Sequence, residues 1–545
     1  MKKHSTGTLT EAQKTEQDRR YQARRTDGVE YDYLLIGTGN ANLTCATLLA
    51  NAGYRVCLLE AHDTAGGYLH SFHMGDYEFC AQVHYVWGAG EGGRIHEFLK
   101  RIGLQAELTF DLLDPDGYDH AVLPDGKRVK IPYGWDALRT NIEQAYPQSS
   151  GLDEFFTIIK AIRRESDALP RTIHWYDYLL KGLRFPMLIR YRHATLQDLF
   201  DHCGVSVEAQ AILSAQAGDL LLPPNAVSLL FYVGLVGGYG DGAYHARPNF
   251  GHYVRRLGKF LVDHQADLYF EEPVVSIDIR TGQVAHVTTA SGKVFTAKQY
   301  LCGMDPQAAA GMIGWQHFPA RFKATLEYTY SSAGVVVYLG LKPGFEPSRY
   351  GLGNHNTWHC FGWDMNAMWS AGERLDVEQA WLFISTPTMH SGAEPAAGHI
   401  IELATYLPYT PFKAAADKSY RDYQRLKMRL ANQMIDLLIE HHVPDLKKHT
   451  AVKVVGSPTT NEDFCGSPFG NAYGAAMLAT QTTSRLSAHT PFNNLHWCNA
   501  SSGAPSICGT TATGMNLYMN LTGDEFYAVG AAHGEPRREV GRAVE

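Results

Sequence analysis

The stretch Tyr33-Leu34-Leu35-Ile36-Gly37-Thr38-Gly39-Asn40-Ala41-Asn42-Leu43 decides the fold. Its apolar start predicts a buried strand, its two glycines a turn, and Leu43 to Ala52 a helix. A second apolar run, Val56-Cys57-Leu58-Leu59, ends in Glu60, 23 positions after Gly37. Strand, glycine turn, helix, strand and acid in this order make a dinucleotide-binding βαβ unit.

Each part has a physical task. Gly37 permits the tight turn, and Gly39, without a side chain, lets a pyrophosphate approach the backbone. The helix start, with Asn40 and Ala41, offers free N–H groups and a positive dipole end to that anion. The Glu60 carboxylate is placed to accept hydrogen bonds from ribose hydroxyls, and it disfavours a 2′-phosphate, so FAD or NAD fits better than NADP. Asn42 stands where the pattern has its third glycine, which predicts a displaced helix or an amide facing the phosphate. Downstream, Ala61 and the pair Gly66-Gly67, followed by Tyr68, predict backbone passing close to the cofactor.

The chain has 545 residues, enough for two or three domains and a large core. Hydrophobic residues at 45% and charged residues at 19% describe a folded globular protein. A net charge of −8 argues against a general nucleic-acid binder. Nine cysteines, an odd number without a C-x-x-C pair, favour a reducing compartment over a disulfide framework. Residues 1–30 are hydrophilic and read as a disordered arm without a secretory signal. No apolar run is long enough for a transmembrane helix, which gives a cytoplasmic expectation. The stretch 171–193 interleaves Arg171, Lys181, Arg184, Arg190 and Arg192 with aromatic and aliphatic residues. Two readings stay open for it: peripheral contact with an anionic membrane surface, or a helix covering the substrate domain.

The order of G-x-G, strand-end Glu, Gly-Gly and then Phe79-x-x-x-x-His84-Tyr85 resembles the flavin-containing amine oxidase and phytoene desaturase superfamily. Within it, the chain is most similar to carotenoid isomerases and retinol saturases. Further resemblances follow in order: Leu123-Pro124-Asp125-Gly126, Gln216-Ala217-Gly218-Asp219 with Pro223-Pro224, Gly242-Ala243-Tyr244-His245-Ala246-Arg247-Pro248, Glu272-Pro273-Val274-Val275, Gly470-Asn471-Ala472-Tyr473-Gly474, and Asn494 to Gly503 with Gly509 and Thr513-Gly514. Cys80 and Gln82 depart from the family's usual Asp and Gly.

The resemblance implies an α/β fold: a discontinuous Rossmann-like FAD-binding domain with an inserted α+β substrate domain. The expected FAD-binding segments are 31–135, 250–310 and 485–530, and the substrate segments 136–249 and 311–484. Gly37, Gly39, Asn40, Ala41, Asn42, Glu60, Ala61, Gly66, Gly67, Tyr68, Val274, Val275, Asn499, Ala500, Gly509 and Thr513 are the expected FAD contacts, with Val275 against the adenine. His84, Tyr85, Tyr244 and Tyr473 are the catalytic candidates, and His84 has a second reading as a loop histidine bonded to backbone. His355 and His359 lack a third ligand, so no metal is expected. Glu440-His441-His442 reads as a cation pair at a helix C-terminus.

The implied activity is FAD-dependent saturation, desaturation or isomerisation of carbon–carbon double bonds in an apolar isoprenoid or polyene. Quinone, oxygen or a reduced nicotinamide would be the electron partner. Two alternatives stay open: an amine-oxidase-type enzyme of natural-product biosynthesis, and a non-catalytic lipid-binding escort of the GDP-dissociation-inhibitor type.

Overall fold

Five short parallel strands form the sheet that carries the glycine turn. The computed structural model describes residues 9–169, 184–392 and 395–527. The strand order is Leu495–Trp497, Ala297–Cys302, Tyr31–Ile36, Val56–Leu59, Asp267–Tyr269. Leu35 and Leu58 face one apolar cluster, while Leu34, Ile36, Cys57 and Leu59 face another. A sheet covered on both faces needs continuous apolar strands, which is why both runs lack polar alternation. On the first face lies the helix Asn40–Asn51, buried from Asn40 to Ala50. The helix Ile507–Thr522 packs on it so closely that a Cβ on Gly514 would sit 2.4 Å from the Ala41 carbonyl oxygen.

The second sheet has seven strands, in the order Thr450–Gly456, Gly334–Leu341, Ile400–Tyr406, Trp381–Ser385, Asn356–Cys360, Asp119–Val122, Arg128–Ile131. It is antiparallel except between Asn356–Cys360 and Asp119–Val122. Period-2 alternation sorts its side chains. Val335, Val337 and Leu339 point to the cluster under the helix Tyr420–His441, whose Leu430, Met434, Leu437 and Leu438 are buried. Val336, Phe383, Trp358 and Ala404 line a cavity on the opposite face.

Two expectations are corrected. The hairpin at Leu123–Gly126 joins Asp119–Val122 to Arg128–Ile131, so the chain enters the second sheet before residue 135. Residues 11–27 are a helix rather than a disordered arm. Thr10 caps it in a reciprocal box with Gln13, and Gly28 ends it in a left-handed turn. Arg20 and Arg24 reach the fully buried carboxylate of Asp267, which also accepts the Tyr31 hydroxyl at 2.6 Å. Tyr21 packs on Tyr269 and Phe295. A polar composition hid these ties, because only Gln17 and Tyr21 of the helix are buried.

Most of the 171–193 stretch lies outside the described residues. Its described end, Pro186–Tyr191, is a helix whose Met187 and Leu188 N–H groups donate to Glu165 at 2.9 and 3.0 Å. Phe185 and Tyr191 are buried. Among the described residues, no helix is long and apolar enough to cross a membrane.

Candidate functional site

The strand Tyr31–Ile36 ends at Gly37, which turns with φ +84° and donates its N–H to the Leu59 carbonyl at 2.7 Å. The Glu60 carboxylate then folds back over the turn. It accepts the Thr38 N–H at 2.8 Å, the Thr38 hydroxyl at 2.5 Å and the His62 N–H at 2.9 Å. Gly66 closes on the same turn through its N–H to the Thr38 carbonyl, 3.2 Å. A Cβ on Gly39 would meet nothing within 4 Å, so this backbone faces open space.

That space is one end of a cavity of about 1300 Å³. It exceeds the roughly 300–1,000 Å³ usual for one small ligand. Gly37, Gly39, Asn40, Ala41, Glu60, Ala61, Gly66, Gly67, Tyr68, Val274, Asn499, Ala500 and Gly509 all line it. Two helix N-termini meet there side by side. The Asn40 amide on one helix donates to the Ile507 carbonyl and to the Thr510 and Thr511 hydroxyls on the other. Neither helix has an acid in its first turn, so both positive ends are open to an anion. A dinucleotide fits this donor set: N–H groups for its phosphates and a held carboxylate for its ribose.

Three expected contacts are corrected. Val275 is 53% exposed and points away, while Val274 and Pro273 line the cavity. Asn42 is fully buried, and its amide donates to the Ile36 and Gly37 carbonyls, fastening helix to strand rather than facing a phosphate. Thr513 packs against Gly503 and returns its hydroxyl to the Gly509 carbonyl.

The profile of the family described as flavin containing amine oxidoreductase matches residues 43–429. The chain belongs to that family. It is 28% identical to human all-trans-retinol 13,14-reductase, over 90% of this chain and 87% of the relative. It is 22% identical to the chloroplastic prolycopene isomerase of Daucus carota, over 83% of this chain and 73% of the relative. Among solved structures it is similar to putrescine oxidase bound to putrescine, with a TM-score of 0.61 at 14% identity, covering 91% of this chain and all of that one. The chain is thus an FAD-dependent oxidoreductase, and its fold is α/β.

The flavoprotein's cavity continues from the glycine turn to an apolar lobe over the seven-stranded sheet. Tyr85, Leu230, Phe231, Tyr239, Trp358 and Phe383 are among its walls. Tyr85 stacks on Tyr239 with centroids 4.2 Å apart. All four catalytic candidates line the cavity, but their protons are not equally free. Tyr473 donates to the Asp219 backbone carbonyl at 2.6 Å, which commits its hydroxyl. The Tyr244 ring lies against Gly90 and Gly242, where any Cβ would strike it. His84 Nδ1 is 2.6 Å from a carboxylate oxygen of Glu402, rather than bonded to backbone.

Tyr85 lies between two carboxyls that sequence reasoning missed. Its hydroxyl is 2.7 Å from Asp219 and 3.0 Å from Asp119. Asp119 is fully buried, which pushes its carboxyl up to about 7 despite donors from Asn356, Trp358 and Gln216. Burial, with Asp119 beside it, pushes Asp219 up to about 8. His359 and His442 are buried against each other outside the lobe. His359 Nδ1 meets His442 Nε2 at 2.9 Å, and burial lowers His442 to about 4, so His441-His442 is not a cation pair.

Proposed function

We propose that this chain is an FAD-dependent oxidoreductase acting on carbon–carbon double bonds of an apolar, polyene-like isoprenoid. The observation that carries the reading is the continuity of the cavity, from the glycine turn and Glu60 to the aromatic lobe at Trp358 and Phe383. A long apolar chain in that lobe would be surrounded by rings and aliphatic walls. The retinol reductase and prolycopene isomerase relatives support that substrate class.

Gly37, Gly39, Asn40 and Ala41 would hold the pyrophosphate, Glu60 the ribose, Pro273 and Val274 the adenine side, and Asn499, Ala500 and Gly509 the flavin side. When bound, the flavin supplies or accepts a hydride. The chain's own residues keep the lobe dry, orient the substrate against the aromatic walls, and hold a proton near it. Quinone, oxygen or a reduced nicotinamide completes the redox cycle. A substrate of this kind partitions into bilayers, so peripheral membrane contact is part of the proposal.

The test is anaerobic mixing of the reduced flavoprotein with a retinoid or carotenoid panel, followed by mass analysis. A gain of two hydrogens means saturation, and an unchanged mass with a shifted retention time means isomerisation. The oxidised protein losing colour as a product appears two hydrogens lighter means desaturation. No change with any polyene would reject the reading.

The Asp219 carboxyl inside the cavity favours a second reading, in which it pairs with the ammonium of an amine substrate. Flavin bleaching by amines and not by polyenes would support it.

A further inference from the structure

Three side chains from distant parts of the chain form a hydrogen-bonded line at the wall of the apolar lobe. Asp119 stands on the strand Asp119–Val122, Tyr85 precedes the bridge from Val86 to Tyr244, and Asp219 lies in the turn Gln216–Leu220. Asp219 and Tyr85 line the cavity, whereas Asp119 is sealed behind them.

Counting donors constrains where the protons are. One Asp119 oxygen accepts the Gln216 amide at 2.9 Å and the Trp358 indole N–H at 3.1 Å, and the other accepts the Asn356 amide at 3.1 Å. These three donors suit an ionised Asp119. Tyr85 has a single proton for two carboxyls. If it donates to Asp119, its oxygen has to accept from Asp219, so Asp219 carries a hydrogen. The titratable groups facing Asp219 are Asp119, Tyr85, Tyr239 and Tyr473, and none is a cation that would ionise it.

We infer that Asp219 is the acid–base residue of the double-bond chemistry, with Tyr85 and Asp119 as the positioning pair that keeps it protonated. This inference rests on the polyene reading above. In saturation, one alkene carbon takes a hydride drawn from the reduced flavin. Its neighbour takes the Asp219 proton, the π pair becoming the new C–H bond as the Asp219 O–H bond breaks. Asp219 is left as a carboxylate held by the Tyr85 hydroxyl. Two carboxylates then share one tyrosine, and their repulsion draws a proton back from solvent through the cavity. Run backwards, the same group is the base of a desaturation.

The test has two arms on the intact flavoprotein. The first is infrared pH-difference spectroscopy without substrate. A protonated carboxyl C=O band present near neutrality and lost on alkaline titration is expected. It should vanish in Asp219→Asn and titrate at lower pH in Asp119→Asn. A band that survives Asp219→Asn, or the absence of any protonated carboxyl at pH 6–7, overturns the inference. The second arm measures turnover with whichever polyene reacts. Asp219→Asn should lower kcat by about 10²–10⁴-fold, the usual worth of a positioned acid, while dithionite still reduces the flavin at the wild-type rate. Wild-type kcat in that variant also overturns it. If no polyene reacts, the function proposal fails, and the infrared arm still decides where the proton is.

Discussion

Replacing Glu60 with Ala tests the cofactor end of the cavity most directly. The carboxylate is held by the Thr38 N–H and hydroxyl and by the His62 N–H, at 2.5–2.9 Å. Both N–H groups lie beside the open cavity, so water replaces the lost acceptor in the flavin-free protein, and its unfolding should change little. The bound state loses more. A hydrogen bond to a charged group contributes about 1.5–3 kcal/mol. Losing one to the ribose raises the flavin Kd roughly 10–100-fold. Flavin in excess stabilises the fold by RT ln(1 + [L]/Kd), so a hundredfold weaker Kd removes about 2.7 kcal/mol of that stabilisation. The assay is fluorescence titration of the apoprotein with FAD, paired with thermal unfolding with and without flavin. Glu60→Gln keeps one oxygen and should fall between wild type and Ala. An Ala variant that binds FAD within twofold of wild type, with the same gain in Tm, would refute the ribose role.

Arg24→Ala removes one of the two guanidinium partners of the buried Asp267 while Arg20 stays, and should destabilise by about 1.5–3 kcal/mol; a urea midpoint equal to wild type would contradict the role of Arg24 in tying the first helix to the sheet. In Gly218→Ala the new Cβ falls 2.4 Å from the Trp358 ring, which its Asp119 hydrogen bond holds in place, so a loss of about 1–3 kcal/mol in unfolding free energy is expected. Val275→Asp should leave flavin retention unchanged and stability within about 0.5 kcal/mol, since Val275 is exposed; flavin loss would restore the adenine contact. Burial lowers His245 and His442 to about 4, whereas an unfolded histidine takes its proton near pH 6.5. Their stabilisation is full above that pH and falls as pH drops towards 4, by up to about 1.4 kcal/mol per unit for each histidine. The raised Asp119 and Asp219 carboxyls act in the opposite sense over this range, so the test is the difference in urea midpoint between wild type and His442→Gln; a difference that stays constant from pH 7.5 to 5 would contradict this.

The cofactor end was legible because its signals are local. Gly37, Gly39 and Glu60 lie within one short run, and their order alone states the geometry. Where a neighbour in space decides a side chain's role, sequence reading failed. Asn42 looked like a phosphate contact until the Ile36 and Gly37 carbonyls took its amide. The step from Val274 to Val275 turns a side chain from the cavity to solvent, so naming the segment did not name the contact. Asp119 and Asp219 are a hundred positions apart, and Glu402 sits inside an apolar strand facing His84. Each looks like an ordinary acid until the seven-stranded sheet brings Tyr85 and His84 against them. The first helix was misread for the same reason, because Asp267, the group that anchors it, comes 243 residues after Arg24.

The placement of the last strand has a consequence for biosynthesis. The five-stranded sheet is completed by Leu495–Trp497, and the helix behind the glycine turn is covered by Ile507–Thr522. All seven strands of the other sheet are already made once residue 456 has been synthesised. A nascent chain can therefore complete its seven-stranded sheet while the five-stranded sheet still lacks its last strand. The cavity's cofactor-side wall is complete only after the helix Ile507–Thr522 has been made. A premature stop between residues 456 and 495 would remove the strand Leu495–Trp497 and the helix Ile507–Thr522, leaving the glycine turn without its cover.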